Sequence, residues 1–262
     1  MSDGELRLGS NNRRTVTTRG SRVRLILVWL VFFSPLLPLL HSPLALCLLK
    51  AMIQPKDHIV FYGDSITDCG RNRDAAPGEE PGWGGGYAQM ASAWLSAQKP
   101  EMNLVFSNKG IGGNRVYDLE ERLESDVLSL RPDLVSILIG INDVWREVDS
   151  NIPSPLDEFR ACYRRILERI NGAGCEMILL DPFVLHTRPD IESWRPILDP
   201  KIEVVRELAQ EFAATHIALD EVFQQASEKR KPEFWAGDAV HPSFAGHALI
   251  AQSWLQAASS MR

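Results

Sequence analysis

The sequence predicts an α/β domain built as a three-layer sandwich, with a central parallel five-stranded sheet covered by helices on both faces. From Ile59 onward, apolar runs of strand length alternate with longer stretches of helical periodicity. The runs are almost continuously apolar, as strands buried on both faces must be. Two of them stop at a glycine and three in a row pass into small polar loops, and open α/β sheets bind ligands at that carboxyl edge of the strands.

The elements follow in order. Ile59-Val60-Phe61-Tyr62 reads as the first strand and stops at Gly63-Asp64-Ser65. Residues 71–86, rich in Gly, Pro and charge, read as a loop, and 87–97 as a helix. Residues 104–106 form a short second strand that leads into the loop 107–114, and a helix follows over about 116–130. The third strand covers 134–139 and ends at Gly140-Ile141-Asn142-Asp143, with a helix at 156–171. The fourth strand is 177–180, followed by an irregular stretch over 181–200 that contains four prolines. A helix at 202–214, a fifth strand at 217–219 and a last helix at 243–257, with Ser243 placed as its cap, complete the pattern. The charged run Glu228-Lys229-Arg230-Lys231 suits a solvated helix end.

Residues 1–51 differ in character. Residues 1–24 are polar and basic, with Arg13, Arg14, Arg19, Arg22 and Arg24, and 25–49 are mostly apolar. That layout fits a secretory signal or a membrane anchor. Against it, Pro35, Pro38 and Pro43 interrupt a spanning helix, no Ala-x-Ala site precedes the body, and bulky Leu46 stands before Cys47. A third reading takes Met52 as the start of translation. Residues 1–51 are therefore expected to be a separable extension and 52–262 the folded domain. Location follows from the choice: cytoplasmic with a start at Met52, otherwise secreted or anchored through residues 25–49.

The net charge of −6 conceals an asymmetry: residues 1–51 hold seven Lys/Arg against two Asp/Glu, leaving 21 against 32, or −11, in the rest. A body this acidic speaks against a nucleic-acid partner. Cys47, Cys69, Cys162 and Cys175 show none of the short spacings of metal or redox sites, and three thiols in the body suit free cysteines. His41, His58, His186, His216 and His247 have no ligand spacing either, so no metal and no cofactor is expected. The expected partner is a small-molecule or oligosaccharide ester; a homo-oligomer stays open.

Three strand-end loops carry Ser65, then Gly113 and Asn114, then Asn142 and Asp143. A fourth piece, Asp238-Ala239-Val240-His241-Pro242, precedes the last helix, and Pro242 holds His241 extended. Asp and His three apart on one loop can set a carboxylate against one imidazole nitrogen while the other faces outward. A serine needs such a base to become a nucleophile, and the base needs such an acceptor to hold its tautomer. The Gly-x-Ser-x-Gly elbow of the α/β-hydrolases is absent around Ser65.

Four blocks in order, Gly63-Asp64-Ser65-Ile66-Thr67, then 108–113, Gly140-Ile141-Asn142-Asp143 and Asp238-Ala239-Val240-His241-Pro242, resemble those of the SGNH, or GDSL, hydrolase family. The resemblance implies a flavodoxin-like fold with Ser65 as nucleophile, His241 as base and Asp238 as its orienting partner. It further implies an oxyanion hole of the Ser65 and Gly113 amides and the Asn142 side chain. Within the family, Gly63-Asp64-Ser65-Ile66-Thr67-Asp68-Cys69-Gly70-Arg71 and Gly140-Ile141-Asn142-Asp143-Val144-Trp145-Arg146 resemble acetylxylan esterases. A serine esterase that deacetylates carbohydrate is expected, with Asp64, Trp145 and Trp235 as candidate substrate contacts. Two residues separate Trp235 from Asp238, where those enzymes can have none, which sets the pocket role of Trp235 apart. A lipase-like esterase is the rival, and a silent carbohydrate-binding module the more distant alternative. Asp64, Asp68 and Asp143 are also the spare carboxylates a glycosidase would need. Trp83 and Trp194 are read as core or surface.

Overall fold

The computed structural model describes residues 53–260, so the extension at 1–51 lies outside the described residues. The five strands are β1 (His58–Gly63), β2 (Val105–Gly110), β3 (Leu134–Leu138), β4 (Glu176–Leu180) and β5 (Thr215–Ile217). They form one sheet in the order β2-β1-β3-β4-β5, every pair parallel, as expected. That order is of the flavodoxin type, whose switch point and ligand crevice lie between β1 and β3. The register levels the strand ends there: Gly63 pairs with Gly110 on one side and Leu138 on the other.

The helices are α1 (Ser65–Asp68), α2 (Tyr87–Gln98), α3 (Val116–Asp126), α4 (Ile141–Ser150), α5 (Leu156–Gly172), α6 (Arg195–Glu211), α7 (Leu219–Lys229), α8 (Pro232–Trp235) and α9 (Phe244–Ser260). Successive side chains of β1 face opposite ways. Ile59 and Phe61 join Tyr87, Phe183, Phe223 and Trp254 in one buried layer, while Val60 and Tyr62 join Leu119, Leu123, Tyr163 and Leu208 in the other. Two polar groups inside these layers are paired, Tyr62 Oη donating to Leu119 O at 2.6 Å and Trp254 Nε1 to Ser136 Oγ at 3.0 Å, whereas Tyr163 Oη and Trp83 Nε1 are buried without a hydrogen-bond partner. No helix among the described residues is long and apolar enough to cross a membrane.

Four expectations need correction. β2 continues four residues past Phe106, because its polar tail pairs with β1 and buried Asn108 is satisfied from all sides. Its Nδ2 donates to Thr67 O and Trp83 O at 2.6 and 2.8 Å, and its Oδ1 accepts from Gly110 N at 2.9 Å. The loop expected after β3 is helix α4, buried mainly through Ile141, Asn142, Asp143 and Val144. α6 starts at Arg195 rather than at 202: Pro196 sits in its first turn, where no N–H is required, and Pro200 costs one internal bond. Leu219, expected at the end of β5, opens α7.

The strand-end glycines have a steric reason. A Cβ on Gly63 would run into Leu138 O and Thr67 Oγ1, and one on Gly110 into the backbone of Thr67 and Asp68. Without side chains at these points, α1 sits directly on the sheet edge.

His247 of α9 is buried, and its Nδ1 accepts from Tyr87 N at 3.2 Å while Nε2 faces Cys69 Sγ at 3.5 Å. Burial, aided by the charge of nearby His241, lowers its pKa from 6.5 to about 4. A folded pKa below the unfolded one gives stability that is complete above about 6.5 and is lost as the pH falls through about 4. His247→Gln, whose amide oxygen can still accept from Tyr87 N, is therefore expected to show a smaller fall in Tm across that window than the parent. Parallel Tm-against-pH curves for the two proteins would count against His247 as the source.

Candidate active site

Asp64 caps α1, its Oδ1 accepting from Ile66 N at 3.0 Å, and this cap turns the chain sharply enough to lift Ser65 out of the sheet edge. Ser65 Oγ lies 2.9 Å from His241 Nε2, and His241 Nδ1 lies 2.7 Å from Asp238 Oδ2. A carboxylate only accepts, so Nδ1 carries the hydrogen and Nε2 is free to accept from the serine hydroxyl. The other Asp238 oxygen accepts from Val240 N and His241 N at 3.0 and 2.7 Å. Burial raises the Asp238 pKa, but these bonds, led by the His241 ring, outweigh it and leave the carboxyl below its ordinary value.

The loop that carries this pair is held at several points. Ala239 has φ +80°, a left-handed conformation uncommon for alanine, and its carbonyl accepts from Leu185 N at 2.9 Å. Arg188 Nη1 donates to Asp238 O at 3.1 Å.

On the other side of Ser65, the loop after β2 crosses close above it: a Cβ on Gly112 would stand 3.7 Å from Ser65 Cβ. Gly112 N donates to Asp68 Oδ2 at 3.3 Å, whereas Gly113, at φ +82°, donates to no acceptor among the described residues. Ser65 occupies the first helical position, where the N–H has no intrahelical acceptor. Asn142, in the first turn of α4, donates from Nδ2 to Asn114 O at 3.0 Å, with one amide hydrogen remaining. The structure thus brings Ser65, His241 and Asp238 into one hydrogen-bonded line. It also sets Gly113 on the loop after β2 and Asn142 in the first turn of α4, beyond the ends of the two strands that flank β1.

The model of the GDSL-like lipase/acylhydrolase family matches residues 61–249. The chain belongs to that family. An acetylxylan esterase from Geobacillus stearothermophilus is 36% identical over 204 residues, covering 76% of this chain and 93% of the relative. The solved structure of that bacterium's acetylxylan esterase Axe2 matches with a TM-score of 0.74 over 79% of this chain and 96% of the other, at 36% identity. A protein of the GDSL-like lipase type from Parabacteroides merdae matches at 30% identity with a TM-score of 0.76, over 81% and 100% of the two chains. This chain has the SGNH hydrolase fold and is a carboxylic ester hydrolase. In Axe2, the alanine variants described as catalytic mutants replace a serine, an aspartate and a histidine, and that aspartate and histidine are three positions apart. Asp238 and His241 of this hydrolase have the same spacing.

Of the three candidate substrate contacts, the structure sets one beside the line. The Trp145 ring lies 5.8 Å from the His241 ring and 5.6 Å from Trp194, which is itself buried. Asp64 requires correction: it is fully buried beneath Ser65, with Oδ2 unpartnered, and burial pushes its carboxyl up to about 7. Trp235 is turned toward α7, its Nε1 donating to Ala226 O and Arg230 O at 3.2 and 3.1 Å with Phe234 edge-on. In Axe2 a tryptophan directly precedes the aspartate of the catalytic mutant. The two added residues here release Trp235 to pack elsewhere.

The spare carboxylates are structural. Asp68 pairs with Arg73 at 2.8 Å. Asp143 is buried, and its two oxygens accept from Val116 N at 3.2 Å and Ser154 Oγ at 2.9 Å. Burial still raises it to about 6 against those bonds. Among the described residues no group of three His, Cys, Asp or Glu could hold a metal ion. Sequence reasoning missed Arg188 and the carbonyl of Asn114, neither of which carries a local motif of its own.

Proposed function

We propose that this hydrolase removes acetyl groups from acetylated carbohydrate, xylo-oligosaccharides foremost, by a Ser65–His241–Asp238 triad with an oxyanion hole of the Ser65 and Gly113 amides and the Asn142 side chain. The observation that carries the mechanism is the continuous line from Asp238 Oδ2 through His241 to Ser65 Oγ. Ser65 Oγ attacks the ester carbonyl carbon as its proton passes to His241 Nε2, while Asp238 steadies the imidazolium. The carbonyl oxygen becomes an oxyanion among donors that are already in place. Collapse breaks the bond to the sugar oxygen, which takes the proton from His241, and leaves acyl-Ser65. A water activated by His241 then attacks the acyl carbon, and acetate leaves as Ser65 recovers its proton.

The substrate class rests on similarity to the Geobacillus enzyme and on the surroundings of the site. His241 and Asp238 keep 45% and 48% of their side-chain surface exposed, which leaves room for a bulky alcohol. The segments 71–86 and 181–194 contain only short 3₁₀ turns, Glu80–Trp83 and Pro189–Trp194, and no amphipathic helix of the kind a lipid-facing lid uses. A chromogenic ester series tests this: kcat/KM is expected to fall steeply from acetyl to butyryl to decanoyl, and acetylated xylo-oligosaccharides to release acetate. An apolar trough would instead add about 0.8 kcal/mol of burial per methylene and reverse the slope. Decanoyl preferred over acetyl, with no acetate from acetylated sugars, would move the protein to the lipolytic branch of its family.

A further inference from the structure

We propose that Arg122 is a positioning residue that fixes the spacing of the oxyanion donors, an inference that rests on the triad and oxyanion assignment above. Arg122 lies on α3 with only 13% of its side chain exposed. Its donors go to the carboxyl edge of the sheet. Nη2 donates to Gly63 O at 3.0 Å, Nη1 to Lys109 O at 2.8 Å, and Nε to Asn114 Oδ1 at 2.7 Å. Gly63 ends the strand that delivers Ser65, Lys109 lies near the end of the strand that leads to Gly113, and Asn114 directly follows Gly113. Asn114 O in turn accepts from Asn142 Nδ2 at 3.0 Å. One planar group therefore touches the residue directly after Gly113 and the residue two before Ser65, and it reaches the third proposed donor, Asn142, through the single residue Asn114.

Two further contacts hold the guanidinium itself. Asp126 Oδ2 accepts from Nη1 at 2.7 Å, and the Tyr62 ring lies with its centroid 4.4 Å from the Arg122 carbon. A guanidinium presents its donors in a rigid fork, so three acceptors from separate segments are held at fixed mutual distances. A lysine ammonium keeps the charge but meets acceptors as a point on a flexible stem. Oxyanion stabilisation depends on donors held within about 0.5 Å of the productive geometry, and such a brace supplies that tolerance.

The test uses the full chain with Arg122→Lys and Asn114→Ala, the second removing one acceptor of the fork while leaving the arginine in place. Active sites are counted by fluorophosphonate labelling of Ser65 run to completion, so that misfolded protein does not enter kcat. Arg122→Lys is expected to lose about 10- to 100-fold in kcat per labelled site with KM within about threefold, and Asn114→Ala to lose less. Affinity for a boronic acid that forms a tetrahedral adduct on Ser65 should fall by the same factor as kcat/KM, which a merely structural role would not produce. Parent kcat per labelled site in Arg122→Lys, or a lowered Tm with unchanged boronate affinity, overturns the proposal. Should Arg122→Lys fail to fold, Asn114→Ala decides by the same two readouts. Full activity in Asn142→Ala and Ser65→Ala would remove the underlying site assignment instead, and is read separately.

Discussion

Ser65→Ala is expected to lower kcat/KM on acetyl esters by about 10⁴- to 10⁶-fold, since members of a triad act as a unit and loss of the nucleophile nearly equals loss of all three. The fold should tolerate the change. The Ser65 hydroxyl is partly exposed and bonds to His241 Nε2, a ring atom that solvent can also reach, so truncation leaves no buried polar group unpaired. Tm should stay close to that of the parent, which separates lost chemistry from lost structure. Mass spectrometry after treatment with a sulfonyl fluoride should find one adduct, on the tryptic peptide that holds Ser65. An adduct at another serine, or an alanine variant with most of its activity, would falsify the nucleophile assignment.

The next largest effect belongs to Asn142→Ala, with an expected loss of about 10²- to 10³-fold in kcat at nearly constant KM. A donor that meets the oxyanion acts mainly in the transition state, so its removal spares ground-state binding. Asn142 is 5% exposed and also bonds to Asn114 O, so a stability loss of about 1 kcal/mol is expected alongside. The two effects separate by comparing kcat per labelled site with Tm. A variant whose only change is in Tm would place Asn142 among the structural residues and leave the oxyanion to the two amides.

Residues whose role follows from their immediate neighbours were legible in the sequence. The run Leu134 to Leu138 is apolar at nearly every position, so its burial as a strand between two layers needs no tertiary information. Asp238 and His241 share one short loop, and Pro242 restricts the histidine, so their pairing is a local matter. Ser65 stands at a strand end, and its meeting with a base could be anticipated from chemistry. The polar tail of β2 was not legible, since Asn108 is stable in a strand only because Thr67 and Trp83 supply acceptors from elsewhere. α4 escaped for a related reason: its buried residues are confined to its first turn, Ile141 to Val144, too short a stretch to set a helical period.

Folding decided which of the outlying residues face the site. Trp145 comes to rest beside His241, while Trp235, closer to Asp238 in the chain, is drawn away by two carbonyls of the α7 end. Asp64 adjoins Ser65 in sequence yet lies buried beneath it, because the cap that raises the serine turns the aspartate inward. The bond from Arg122 to Gly63 O spans 59 positions, and that from Arg188 to Asp238 O spans 50. Side chains that act across such separations leave no periodicity or spacing to read. Local pattern determined most of the strands and the groups proposed to react, and long-range packing alone decided which charges contact their backbone and which aromatic ring stands beside the histidine.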